Sequence, residues 1–388
     1  MTSATWRPEE GVWKVVTNQG VLKCRILISA CGALHQPLLP QIEGIHKFRG
    51  DSFHSSNWNH NLNLTGKKVG IVGSAASAVQ IAPKLADNVG SLYVFQRTPN
   101  WYFPKFDPVY PEYVKKVFRT VPFTMTLMRW AFFLLVEGWS MVWLHKSFVS
   151  DLFQKVIEAG MRKQAGNEAL AQKLIPKYKL GCKRILLTSE FVPLFNKHNC
   201  HLITDQIEQI TSDGVETSSE HIELDTIVYA TGFDIEASFC PFDTFGRNSL
   251  KLREYLHENP CAYLGMTVPE FPNFFFLLGP NTVLAHSSVI YMIECQVDYV
   301  IKSINLMANL HIKSMEPRRD KTEDYQEKMG TWTLNKNFST NCKSWYKNKD
   351  GKNFVLWPSN LLQYWRMTFS PNLLEDYKLD FFTDYFSM

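Results

Sequence analysis

From Gly11 to Ala30 apolar and polar residues alternate on either side of Asn18-Gln19-Gly20. That period of two, broken by turn-forming residues, predicts a β-hairpin running on into Leu27-Ile28-Ser29-Ala30-Cys31-Gly32. A proline-rich connector follows from Pro37 to Gly44. The apolar run Lys67-Lys68-Val69-Gly70-Ile71-Val72 then reads as a short buried strand that stops at Gly73. From Ser74 to about Asn88 the spacing becomes helical, and Leu92-Tyr93-Val94-Phe95-Gln96 supplies a second strand. Together these make a βαβ unit of roughly 30 residues. Downstream, residues 151–180 read as mixed helical surface, Ile222 to Ala230 as a strand ending at Thr231-Gly232, and Ser288 to Leu310 as a long helix. The tail is aromatic, with Trp332, Trp345, Trp357 and Trp365, and no internal repeat or low-complexity tract occurs.

The most hydrophobic stretch is Pro122 to Leu144. Arg129 and Glu137 lie inside it, and each is costly at a bilayer centre, so the expectation is a long buried or interface helix rather than a span. Trp130, Trp139 and Trp143 leave open a peripheral membrane contact through 122–144.

Composition narrows the classes. A chain of 388 residues with 45% apolar residues builds a real core and two or three domains. Forty-one basic against 37 acidic residues give a net charge of +4, without the basic stripe that nucleic-acid binding demands, so no nucleic-acid partner is expected. The eight cysteines show no CxxC pair and no even spacing, and Met1 to Arg7 has no apolar signal core. These point to a reducing, cytoplasmic location without a zinc site or a thiol redox pair.

The chemistry begins at Gly73-Ser74-Ala75-Ala76-Ser77-Ala78, where a dinucleotide pyrophosphate meets the free N–H groups of a helix start. The G-x-G-x-x-G fingerprint is partly met: Gly73 supplies the tight turn and Ala78 suits the third position, but Ala75 replaces the glycine of closest approach. Gly73, Ser74, Ala75, Ala78 and Gln80 are the candidate contacts, although an ordinary strand-to-helix turn has the same look. The second strand ends not in an acidic residue but in Arg97-Thr98, a cation and a hydroxyl that suit a 2′-phosphate, so NADPH is expected over NADH. A solvated arginine after a strand is the plain alternative.

Just upstream stands Phe48-x-Gly50-x-x-x-His54-x-x-x-Trp58. This resembles the FxGxxxHxxxW fingerprint of the flavin-dependent monooxygenases of the Baeyer-Villiger group, departing at Asn59, where that group has Pro or Asp. The resemblance continues in Phe95-Gln96-Arg97-Thr98-Pro99-Asn100-Trp101, Gly181-Cys182-Lys183-Arg184, Ala230-Thr231-Gly232-Phe233 and Leu278-Gly279-Pro280-Asn281-Thr282 with His286-Ser287-Ser288. Ser344-Trp345-Tyr346 and Trp357-Pro358 resemble the tail of the hydroxyacetophenone-type branch.

The resemblance implies an α/β flavoprotein with two dinucleotide-binding domains. Residues 1–60 would be a remnant of the FAD domain, 61–230 the NADP-binding Rossmann-like domain with a helical insertion, and 231–388 the rest of the FAD domain with the aromatic tail. It implies NADPH, FAD and O2, with a flavin C4a-peroxide oxidising a small-molecule ketone or heteroatom. Arg184 and His54 become the candidate catalytic residues, Arg184 stabilising negative charge on oxygen and His54 orienting the nucleotide-domain hinge. Lys183 would share the 2′-phosphate with Arg97 and Thr98, Thr231 and Gly232 would form the linker, and Asn281, with Ser287 and Ser288, would face the flavin's pyrimidine edge. A disulfide reductase on the same plan needs a CxxC, which Cys24 and Cys31 do not make. The sequence holds no second G-x-G-x-x-G for the FAD diphosphate. The expectation is therefore a fragment or shortened product of the family, the alternative being a catalytically inactive NADP-binding relative.

Overall fold

The computed structural model describes residues 1–382 apart from Asn259, Asn341, Lys343 and Lys349, and leaves out the side chains of Met141 and Trp143. Trp143, read above as an interface aromatic, therefore lies outside the described side chains. The chain forms two compact units, Pro37–Thr126 with His145–Phe233, and Met1–Gln36 with Leu127–Leu144 and Asp234–Met388.

The first unit is built on a five-stranded sheet in the order Cys200–Ile203, Ser91–Phe95, Lys68–Val72, Thr226–Tyr229, Asp51–His54, every neighbouring pair parallel. Its central strands are continuous apolar runs because both faces are covered: Val69, Ile71, Leu92, Val94, Ile227 and Val228 are fully buried. The helix Ala76–Leu85 connects the two strands of the expected βαβ unit and turns Ala78, Val79 and Ala82 inward. The predicted single strand Ile222–Ala230 is instead two. His221–Glu223 closes an antiparallel meander with Gly214–Thr217 and Ile207–Ile210, while Thr226–Tyr229 enters the parallel sheet. Asp225 makes the break, its carboxylate accepting from the Lys68 N–H at 2.7 Å and its own N–H donating to the Lys68 carbonyl at 2.9 Å.

In the second unit Val12–Thr17 and Gly20–Cys24 pair antiparallel around Asn18-Gln19, as expected. The sequence reading missed Ser3–Arg7, which pairs with Val12–Thr17 on one side and with Asp243–Phe245 on the other. Leu27–Ser29 pairs in parallel with Phe274–Phe276. The predicted long helix is Val289–Asn309, its first turn capped by Ser288 Oγ, which accepts from the Tyr291 N–H at 3.2 Å.

Two boundaries differ from the expected 1–60, 61–230 and 231–388. Residues 37–60 fold with the nucleotide-type sheet, because Asp51–His54 pairs with Thr226–Tyr229. Residues 127–144 fold with the other unit, where Arg129 donates to Glu294 at 2.7 Å and Glu137 accepts from the Leu361 N–H at 2.9 Å. They belong to one helix, Phe123–Leu144, and no helix among the described residues is long and apolar enough to cross a membrane. Cys24, Cys31, Cys200, Cys240, Cys261 and Cys295 are free thiols, but Cys182 and Cys342 are disulfide-bonded. Cysteine spacing did not single out either of these two residues, and it does not establish a reducing compartment.

Candidate functional site

The turn after Lys68–Val72 is dictated by Gly73. Its φ is +113°, and a Cβ there would stand 2.4 Å from the Ala230 carbonyl oxygen, so only glycine passes between the two central strands. Ser74 is buried and donates to the Thr98 carbonyl at 3.4 Å, while its own carbonyl accepts from Asn100 Nδ2 at 3.0 Å and the Tyr102 hydroxyl at 3.3 Å. Ala75 occupies the N-cap position of Ala76–Leu85 and has no side chain with which to cap. The first-turn N–H groups have no intrahelical acceptor and are left for water or an anion. Ala78 is fully buried beneath them, as a third-position small residue must be. Gln80, a candidate contact, is exposed and donates to Ala76 of its own helix at 3.1 Å.

Beside this turn the fold gathers cations. Arg97 is exposed at the end of Ser91–Phe95, and Lys183 is half-buried with its ammonium 5.1 Å from the centre of the Tyr178 ring. Burial, and then the positive field of Arg97, hold Lys183 below the ordinary lysine range. Two like charges kept close at a cost to one of them are what a doubly charged anion such as a 2′-phosphate would relieve. The support is side chain to backbone: Tyr178 donates to the Pro99 carbonyl at 2.9 Å, Trp101 Nε1 to the Tyr178 carbonyl at 3.0 Å, and Gln96 Nε2 to the Lys173 carbonyl at 2.8 Å. Thr98 is half-buried in this segment, and Arg184 follows Lys183 as an exposed guanidinium.

His54 ends the edge strand and is buried. Its Nε2 lies 3.0 Å from the Gly232 carbonyl, which can only accept, so Nε2 carries the proton. Its Nδ1 accepts from the Ser56 hydroxyl at 2.8 Å and the Ser56 N–H at 3.1 Å. Burial lowers its pKa, against the pull of the Gly232 carbonyl. The same carbonyl receives the Leu38 N–H at 3.0 Å, and the Thr231 hydroxyl donates to the Leu38 carbonyl at 2.6 Å. Gly232 itself holds φ +89°. The linker residues 231–233 are therefore pinned to residues 37–38 through one carbonyl shared by His54 and the backbone.

Asn281 is placed differently from the flavin-facing expectation. It is buried at φ +58°, and its Nδ2 donates to the carbonyls of Asn353 at 3.2 Å and Leu356 at 3.3 Å, so its donors are spent on the loop 353–356. Ser288 is likewise spent as a helix cap. NADP fits the residues at the Gly73 turn, whereas no comparable glycine turn for the FAD diphosphate stands among the described residues. The sequence reading assigned no role to Asn100, Tyr102, Tyr178 or Ser56. The first lay inside a quoted motif, but the others carry no signal until the fold brings them to the turn.

The family model described as pyridine nucleotide-disulphide oxidoreductase matches residues 5–124. A Baeyer-Villiger monooxygenase of Pseudomonas aeruginosa is 34% identical over 362 residues, covering 91% of this chain and 68% of the relative. A Baeyer-Villiger monooxygenase of Streptomyces coelicolor is 31% identical over 382 residues, covering 95% and 72%. Among solved structures, OTEMO in complex with FAD and NADP superposes with a TM-score of 0.86 at 27% identity, covering 98% of this chain and 80% of that one. Oxidized steroid monooxygenase bound to NADP gives a TM-score of 0.86 at 25% identity, covering 97% and 79%. With the fingerprint around His54, the Gly73 turn and the Arg97–Lys183 pair in one unit, these likenesses place the chain in the Baeyer-Villiger monooxygenase family.

Proposed function

We propose that this chain is an NADPH- and FAD-dependent monooxygenase that transfers one oxygen atom from O2 to a small ketone or to a heteroatom compound. The observation that carries the reading is the Arg97–Lys183 pair beside the Gly73 turn, two cations close enough that the charge of Arg97 adds to burial in lowering the Lys183 pKa. In this reading the unit of Pro37–Thr126 with His145–Phe233 is the NADP-binding domain, and the unit of 1–36, 127–144 and the residues from 234 onward contributes to the FAD domain. The N–H groups at the helix start, from the N-cap Ala75 to Ala78, bind the pyrophosphate, and Arg97, Lys183 and Thr98 bind the 2′-phosphate, which orients the nicotinamide. When bound, FAD supplies the oxygen-activating chemistry. Arg184 is proposed to steady negative charge developing on the transferred oxygen. His54, with both ring nitrogens occupied, exchanges no proton in this reading and positions the 231–233 linker instead. The apolar helix Phe123–Leu144 adds peripheral contact with a membrane surface.

The test is to incubate the 388-residue chain with excess FAD, remove free cofactor, and record the visible spectrum and ketone-dependent NADPH consumption under air. Flavin retained near the protein's molar concentration, with oxygen-dependent turnover, is expected. Colourless protein that still binds NADPH refutes the enzyme reading for this chain and favours the inactive NADP-binding relative.

A further inference from the structure

The helix Phe123–Leu144 is exposed in a way that a soluble surface does not explain. Phe123, Leu127, Trp130, Phe132, Leu134 and Leu135 are all exposed, Leu134 by 67% and Phe123 by 70%. At 3.6 residues per turn these six positions span an arc of about 200° around the helix axis. The opposite side is engaged through Phe133, whose ring lies 5.0 Å from that of Tyr291, and through Arg129, which donates to Glu294 at 2.7 Å. A flat protein partner covers one stripe of a helix. An arc of this width is covered instead by a medium that closes around it, as acyl chains do.

The preceding element supplies the charge. Helix Glu112–Thr120 buries none of its residues, and only Val121 and Pro122 separate it from Phe123. Its sequence EYVKKVFRT sets Tyr113 and Val117 one turn apart as an exposed apolar pair. Lys115 is paired with Glu112 at 2.6 Å, but Lys116 and Arg119 are exposed cations without a carboxylate partner among the described residues. An apolar body next to exposed cations is the composition of a helix that lies in a lipid headgroup layer. The exposed run Phe123–Leu135 is roughly 20 Å long at 1.5 Å per residue, too short for a bilayer core of about 30 Å.

We infer that residues 112–135 dock this protein on a membrane surface bearing anionic lipids, with Phe123 to Leu135 in the headgroup and acyl boundary and Lys116 and Arg119 on the lipid phosphates. A membrane-seated monooxygenase would meet apolar substrates where they partition. The inference gives a lipid class to the surface contact proposed above, and its test needs neither flavin nor turnover, so its failure leaves the monooxygenase reading standing.

The experiment is flotation of the full chain with vesicles of phosphatidylcholine alone and of phosphatidylcholine with phosphatidylserine. Flotation with the phosphatidylserine vesicles, weakened by salt, is expected. The pair Phe132→Asp and Leu134→Asp should lower partitioning about tenfold or more, and Lys116→Glu with Arg119→Glu should abolish the preference for the anionic vesicles. All four side chains are exposed, so circular dichroism should stay unchanged. Equal binding to both vesicle types overturns the inference. So does absence from the floated fraction together with a concentration-dependent dimer that Phe132→Asp and Leu134→Asp dissociate, which would assign the same surface to a second copy of the chain.

Discussion

Replacing Arg97 with alanine and Lys183 with methionine, singly and together, separates recognition of the 2′-phosphate from recognition of the rest of the dinucleotide. Arg97 is exposed, so its bond to phosphate competes with water and is worth about 1 kcal/mol, or roughly fivefold in Kd. Lys183 is half-buried beside the Tyr178 ring and has already lost part of its hydration, so its phosphate bond is worth about 2 kcal/mol, or roughly thirtyfold. Equilibrium titration of the chain's fluorescence with NADPH and with NADH reads both effects. NADPH affinity should fall by these factors in the single variants, and NADH affinity should change less than twofold.

The pH dependence adds a second readout. Burial and the neighbouring guanidinium lower the Lys183 pKa, so raising the pH through that lowered value discharges the ammonium. NADPH binding should weaken along an alkaline limb that NADH binding lacks. In Arg97→Ala the repelling charge is gone, the Lys183 pKa rises toward its ordinary value, and the limb should move to higher pH. In Lys183→Met it should vanish. Equal weakening of NADPH and NADH, or a limb unmoved by Arg97→Ala, would refute the assignment of these two cations to the 2′-phosphate.

Gly73→Ala should cost about 3 kcal/mol of unfolding free energy in urea, because a residue with a Cβ is strained at φ +113° and the new atom meets the Ala230 carbonyl at 2.4 Å. An unchanged urea midpoint would mean that the turn is looser than this packing implies. His286, buried and facing Glu137 and Lys336, has its pKa lowered to about 4, chiefly by burial and then by the Lys336 charge. The Glu137 carboxylate, 3.7 Å from Nε2, pulls the other way, but it also accepts the Leu361 N–H, and burial prevails. Between pH 6.5 and about 4 the unfolded chain takes up a proton that the folded chain refuses, so stability falls with falling pH across that window and is fully present above it. The loss is about 3 kcal/mol at most, and His286→Gln should remove it from urea curves taken at successive pH values.

The parts legible in the sequence were those written in local periodicity. The hairpin around Asn18-Gln19, the strands at Lys68–Val72 and Ser91–Phe95 and the helix Val289–Asn309 lie within a few residues of expectation, since alternation and helical spacing report directly on which face is buried. Ile222–Ala230 misled because the alternation of Ile222, Glu223, Leu224 and Asp225 runs without a turn residue into the apolar Ile227-Val228-Tyr229. What ends the first strand is Asp225 bonding to Lys68, a residue 157 positions away, and no local window contains that partner. The division into compact units was out of local reach for the same reason, since Asp51–His54 is assigned by the strand it joins and not by its neighbours in sequence. Arg97, singled out by type and spacing, and Lys183, singled out by resemblance, lie close enough in the fold that the charge of one lowers the pKa of the other. The bonds of the Asn281 amide to the loop 353–356 were not legible, because a Gly-Pro-Asn-Thr turn looks the same whether its amide faces a ligand or such a loop.

The fingerprint around His54 shows how a motif can be recognised before its work is understood. A histidine reserved for proton transfer needs a ring nitrogen open to substrate or water, yet Nε2 is spent on the Gly232 carbonyl and Nδ1 on Ser56. The other fingerprint residues serve the placement of that ring. Gly50 has no room for a side chain, its Cβ position lying 2.4 Å from the Asp225 carbonyl oxygen. That close approach lets Asp51–His54 pair in register with Thr226–Tyr229, and the register brings His54 opposite Tyr229, three residues before Gly232. Trp58 packs edge-on against Phe53 at 5.1 Å and Phe233 against His54 at 5.5 Å, closing the turn from both sides. Spacing among Gly50, His54 and Trp58 is thus set by a strand and the turn after it, and its product is the fixed position of one carbonyl in the linker.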